Sequence, residues 1–113
     1  MAVRALTDDA QGLLDEIREQ IKQKHIETWG CDAAGDFFHT PAQWKGKAWL
    51  TPDVQKDRLR LTILGRKDEG LKREVFAVYQ GRFIEMLVKH VPELFTDARA
   101  TPNPDKDERE LED

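Results

Sequence analysis

Residues 71–91, LKREVFAVYQGRFIEMLVKHV, decide the fold. As one helix they give a β-hairpin flanked by two long helices. As a strand followed by a helix they complete a three-stranded sheet. A helical wheel at about 100° per residue separates the two halves of the stretch. From 82 to 91, Phe83, Ile84, Met86, Leu87 and Val91 cluster, while Arg82, Glu85 and Lys89 oppose them. From 71 to 81 the same wheel drops Lys72, Arg73 and Gln80 into the apolar sector. Val75, Phe76, Val78 and Tyr79 are types that favour strands, and Gly81 marks a break. The pattern predicts a third strand over 72–79 and a helix over 82–91, ended by Pro92. His90 falls near the apolar arc of that helix, where a packed, hydrogen-bonded imidazole is expected.

Working upstream, DRLRLTILG (57–65) is the clearest strand. Leu59, Leu61 and Ile63 alternate with Arg58, Arg60 and Thr62, so one face is core and the other is wet. GKAWLT (46–51) is a weaker strand; Thr51, Pro52 and Asp53 read as a turn, and GRKDEG (65–70) as a hairpin connection. DDAQGLLDEIREQIKQKHIETWG (8–30) reads as a helix, with Asp8 as N-cap and Leu13, Leu14, Ile17 and Ile21 on one stripe. Gly30 stands where a left-handed C-terminal residue belongs, with Trp29 as the last anchor. Residues 31–39 show no period; Thr40, Pro41 and Gln43 carry helix-start chemistry and predict one short helical turn.

These elements predict an α+β domain over residues 1–95 in the order α-β-β-β-α, with a three-stranded antiparallel sheet packed against two helices. From residue 96, TDARATPNPDKDERELED has too little apolar content to offset its ordering entropy, which predicts a disordered acidic tail. At 113 residues the chain is of single-domain length. No apolar run approaches the roughly 18 residues of a membrane span, and the opening MAVRALTDDAQG lacks the apolar core of a secretory signal. The single cysteine, Cys31, leaves no internal disulfide framework, so a reducing cytoplasm is the expected setting.

The net charge of −4 is spread unevenly. Residues 1–43 hold four basic and eight acidic side chains, residues 44–82 ten and five, and residues 83–113 four and nine. A basic middle between acidic ends suits either an acidic protein or a nucleic acid. Lys45, Lys47, Arg58, Arg60, Arg66, Lys67, Lys72 and Arg73 are the candidate contacts for such a partner. Trp44 and Trp49 are interleaved with the lysines, as base stacking would require. Stacking needs Trp49 exposed beside Arg58 and Arg60; otherwise those arginines are simply the wet face of a strand.

WGCDAAGDFFHTPAQW (29–44) concentrates the residues from which chemistry could be built. Cys31, Asp32, Asp36 and His39 could be donors to a metal, but one cysteine and one histidine match no paired zinc spacing. A thiol enzyme centred on Cys31 and His39 would need activation of the thiol. A helix C-terminus at Gly30 would oppose it, since the negative end of the dipole raises a thiol pKa. The chain contains no serine and no Gly-rich phosphate loop. The expected function is therefore that of a small non-catalytic protein-interaction domain without a metal or cofactor. Its partner surface is expected from Trp29, Phe37, Phe38, Trp44 and Trp49. A nucleic-acid module is the alternative, and a metal or thiol enzyme the third reading.

Overall fold

A computed structural model describes residues 3–104 and the backbone of residues 111–112. The class is α+β, with two helices on one face of a six-stranded antiparallel sheet. In chain order the sheet strands are β1 (Val3–Leu6), β2 (Trp29–Cys31), β3 (Phe37–His39), β4 (Ala48–Val54), β5 (Arg58–Gly65) and β7 (Asp97–Ala100). Helix α1 is Ala10–Lys22 and α2 is Arg73–His90. A two-residue strand β6 (Leu71–Lys72) pairs in parallel with β8 (Leu111–Glu112) outside the main sheet. The sheet order is β2-β3-β4-β5-β1-β7.

The three-stranded sheet of the sequence reading is thus too small, and the strand expected over 72–79 does not form. Residues 73–90 are one helix, as in the alternative reading of that stretch. Val75, Phe76, Tyr79, Phe83, Met86 and Leu87 bury one stripe of it. The polar residues that spoil the wheel have tertiary partners. Lys72 precedes the helix, and Arg73 donates to the carbonyl oxygen of Pro102 at 3.0 Å and to Asn103 Oδ1 at 3.1 Å. Gln80 is buried with its side-chain oxygen accepting the Thr101 N–H at 2.9 Å. A returning segment distant in sequence thus satisfies a polar group inside the apolar sector.

That returning segment includes the strand missed in the expected tail. Asp97–Ala100 pairs antiparallel with β1, itself unread in the sequence, through Val3↔Ala100 and Leu6↔Asp97. Residues 105–110 and 113 of the expected tail lie outside the described residues. Residues 31–39, expected to be without regular structure, complete a β2–β3 hairpin: Cys31 ends β2, 32–36 form the turn and Phe37–His39 is β3, in register Trp29↔His39 and Cys31↔Phe37. The expected turn at 51–53 is strand. Beyond Leu50, β4 has lost β3 as a neighbour, so Pro52 stands on an edge, where strands tolerate proline. At 40–44 the expected helical turn is reduced to turn geometry, with the Trp44 and Lys45 N–H groups both donating to the Pro41 carbonyl oxygen.

Helix α1 begins one residue later than expected and ends much earlier. Asp9, not Asp8, is the cap, its Oδ1 accepting the Gly12 N–H at 2.9 Å. Asp9→Ala is expected to lower stability by about 1 kcal/mol, read as a reduced denaturant midpoint. An unchanged midpoint would contradict this. The helix closes at Lys24, which takes the left-handed conformation (φ 64°) usually given to glycine. Gly30 lies instead in β2, beneath the Phe38 ring, where an added Cβ would come within 2.4 Å of Phe38 Cζ.

Alternation divides the sheet into two faces. Val3, Ala5, Trp29, Phe37, Ala48, Leu50, Leu59, Leu61 and Ile63 point to the helices and share one core with Leu13, Ile17, Phe76 and Phe83. Neither helix covers the opposite face. No helix among the described residues is long and apolar enough to cross a membrane.

Candidate interaction surface

The helix-free face is organised in rows by strand register. At one end Trp49 stands opposite Leu64. The register Phe37↔Leu50 brings Phe38 to the same face one strand over, and Phe38 lies against Gly30 of β2. Phe38 and Trp49 are half-buried and Leu64 is 36% exposed; none belongs to the core or packs against it. Lys45 holds its ammonium 5.8 Å from the Phe38 ring centre, within cation–π range. The next row is Thr51 opposite Thr62. Beyond it comes a row of charges: Asp53 faces Arg60, Arg60 faces Arg4, and Arg4 faces Arg99.

The apolar end opens into a groove of about 450 Å³. Trp49 and Leu64 line it together with Asp32 and Asp36 from the β2–β3 turn and Arg66 and Lys67 after β5. Asp32 is committed to its own turn, its Oδ1 accepting the Ala34 and Asp36 N–H groups at 3.0 and 2.9 Å. Arg66 donates through Nε and Nη2 to Asp68 at 2.9 and 2.7 Å and lies 3.6 Å from Glu69. These hydrogen bonds hold the exposed Asp68 carboxyl below its ordinary range. A larger open hollow of about 1280 Å³ lies at the start of α1. It is lined by Asp8, Glu16, Asp57 and Glu93 around the capped helix end, with Lys56 as the one cation among the described residues. The sheet groove is the better candidate because apolar and charged groups converge there on a uniform face.

The residues singled out from sequence separate into distinct places. Trp29 (2% exposed) and Phe37 (0%) are core residues and leave the candidate surface. Trp44 packs against the core from its turn, while its carbonyl oxygen accepts the Tyr79 hydroxyl at 2.8 Å. Phe38 and Trp49 remain on the helix-free face. Arg58 and Arg60 share that face with Trp49, but Arg60 is four residues along β5 from Leu64, the partner of Trp49. Arg58 donates to Asp57 at 3.0 and 3.3 Å. Lys47 lies 3.9 Å from Glu69, and Lys67 is exposed in the turn after β5. Lys72 and Arg73 stand apart, at the start of α2. Sequence reading missed Leu64, Arg4 and Arg99. Leu64 looked like the end of a strand, and the alternation in VRAL and DARA was the only trace of the strands that carry the two arginines.

The third reading fares differently. His39 is buried on the helix side of β3, with Nδ1 2.7 Å from the Thr28 carbonyl oxygen. A carbonyl only accepts, so Nδ1 carries the proton. Nε2 is buried with no hydrogen-bond partner among the described residues, as is Nε1 of Trp29, whose ring stacks on the imidazole at 4.6 Å. Burial, assisted by the Arg82 charge, pushes His39 below its ordinary value of 6.5 against the opposing influence of Thr28 and Glu85. Cys31 is half-buried on β2 and is not the register partner of His39, which faces Trp29. The described residues contain no group of three or more His, Cys, Asp or Glu placed to hold a metal ion.

Compared with family models, with curated proteins and with solved structures, the chain matches none.

Proposed function

We propose that this protein is a non-catalytic interaction domain and that the helix-free face of its sheet, centred on Trp49 and Leu64, contacts a protein partner. The observation that carries the reading is the separation of Phe38, Trp49 and Leu64 from the core on a face without a helix. Large half-exposed aromatics in a groove are the usual anchors of protein recognition. A single thiol and no disulfide suit a reducing compartment, and we place the interaction in the cytoplasm.

The row Arg60–Arg4–Arg99 favours nucleic acid as a second reading. Against it, Arg58, Arg66 and Arg99 each bond to a neighbouring aspartate, and Asp32, Asp36 and Asp68 line the groove beside the stacking tryptophan. A strand bearing a phosphate at every nucleotide would meet those carboxylates.

Peptides selected from a random display library on the wild-type protein test the reading. Trp49→Ala is expected to weaken them by about tenfold, in line with loss of an aromatic anchor, without lowering the thermal midpoint. Peptides that bind the variant equally well would overturn the assignment of the surface.

A further inference from the structure

The main sheet ends at β7, and that end is shaped to accept a further strand. An edge strand presents a row of unpaired backbone N–H and C=O groups, which proteins blunt with proline, short length or a covering element. The other edges carry such devices. β2 spans only Trp29–Cys31, and the outer half of β4 sets Pro52, which has no N–H, in mid-strand. β7 (Asp97–Ala100) contains neither proline nor glycine. Among the described residues its one strand neighbour is β1, and Asp97, Arg99 and Ala100 are exposed. The strand is also fixed at both ends. The Thr96 N–H donates to the Leu6 carbonyl oxygen at 2.8 Å before it, and the Thr101 N–H to Gln80 Oε1 at 2.9 Å after it. A strand held in place beforehand loses little conformational entropy on pairing.

We propose that β7 pairs antiparallel with β7 of a second copy of this chain, joining the two sheets edge to edge into one. The sequence DARA is complementary to itself. Asp97 and Arg99 share the face opposite Ala98, which packs against the core. In an antiparallel pair centred on Ala98, Asp97 of each copy stands directly opposite Arg99 of the other, an arrangement that stabilises a sheet. Slipping the register by two residues in either direction sets Arg99 against Arg99, or Asp97 against Asp97, which destabilises it. Within one copy Arg99 already bonds to Asp97 at 3.0 Å, so the free edge carries no net charge to repel its copy. Pairing exchanges that bond for two of the same kind across the seam, while the backbone ladder supplies the attraction. Directly opposed residues share a face, so the helices of both copies lie on the same side. The seam is separate from the Trp49–Leu64 groove, and neither contact rests on the other.

The test follows the full chain by sedimentation velocity from about 10 µM to about 1 mM, a range suited to a small interface. The expected result is a reversible monomer–dimer equilibrium, with concentration-dependent amide shifts at Asp97–Ala100. Arg99→Asp sets two acidic pairs across the seam, and Asp97→Arg sets two basic ones. Each is expected to weaken dimerisation by about tenfold, since two cross-strand pairs are inverted at once. Mixed in equal amounts, the two variants are complementary at both positions. The mixture is expected to recover wild-type affinity as a heterodimer, which a misfolded variant could not do. Thermal melts report the folding of each variant alone.

A chain that stays monomeric at about 1 mM overturns the proposal. So do single variants that dimerise as tightly as the wild type, and a mixture that associates no better than the variants alone. Trp49→Ala is expected to leave the dimer unchanged. Loss of the dimer in that variant, with β7 amides unperturbed, would move the self-contact to the groove and overturn the seam.

Discussion

Trp29→Ala is expected to destabilise the protein by about 3–5 kcal/mol, the range for truncating a buried large aromatic. Domains of this size have a total stability of about 5–15 kcal/mol, so the variant is expected near or below the folding threshold at 37 °C. Trp29 is 2% exposed and sits where three elements meet. Its ring stacks on His39 of β3 and takes the edges of Tyr79 and Phe83 of α2 at 5.5 and 5.0 Å. Truncation leaves a void between the β2–β3 hairpin and α2 that neither element can fill alone. Trp29→Phe keeps most of the ring packing and removes an indole N–H that has no hydrogen-bond partner among the described residues. It is therefore expected to cost far less than the alanine variant. Urea denaturation of both variants measures the difference, and equal losses would contradict the assignment of Trp29 to the packed core.

The second large effect is acid sensitivity through His39. In the folded protein its affinity for a proton is depressed, chiefly by burial. In the unfolded chain it titrates near the ordinary 6.5. The unfolded state then binds more protons in the intervening range, and protonation favours unfolding. The stabilising contribution is complete above the unfolded value and is lost as pH falls below it toward the depressed folded value. The cause is geometric as well as electrostatic. Nδ1 already donates to Thr28, so an added proton goes to Nε2, which is buried and has no acceptor among the described residues. Of the neighbouring charges on α2, Arg82 opposes protonation and Glu85 favours it.

The thermal midpoint is expected to fall between about pH 7 and pH 5, above the ordinary carboxylate range. His39→Gln, which can still donate to Thr28, is expected to flatten that slope. His90 is also shifted downward, mainly by burial, but it is only half-buried, so His90→Gln is expected to change the slope little. An undiminished slope in His39→Gln would contradict this account of the imidazole.

The class of the fold was legible in sequence because its strongest patterns are local. The alternation of Leu59, Leu61 and Ile63 marks β5, and the stripe of Leu13, Leu14 and Ile17 marks α1. The errors share one physical origin, namely satisfaction from a distance. Gln80 breaks the apolar stripe of α2, yet Thr101 completes its hydrogen bonding from 21 residues away. VRAL and DARA are too short to stand as strands by composition, and they form because each pairs with β1 or β5. WGC and FFH lack a strand-length period, and the Asp32 turn sets their register.

The candidate surface was legible only in part for the same reason. Trp49, Phe38 and Arg60 were visible as residue types. Their common face, the partnership of Trp49 with Leu64, and the alignment of Arg60 with Arg4 and Arg99 depend on strand order. Conversely, Trp29 and Phe37 looked like surface aromatics because the hairpin that buries them was not apparent.

Amide shift mapping of the isotope-labelled protein with the most tightly bound display-selected peptide decides whether the helix-free face is where this protein meets its partner. The expected perturbations lie in β4 and β5 at Trp49, Thr51, Thr62 and Leu64 and extend through Phe38, with the exposed sides of α1 and α2 unchanged. Perturbations confined to the helices, or to the acidic hollow at the start of α1, would contradict the proposal and place the contact on the opposite side of the molecule.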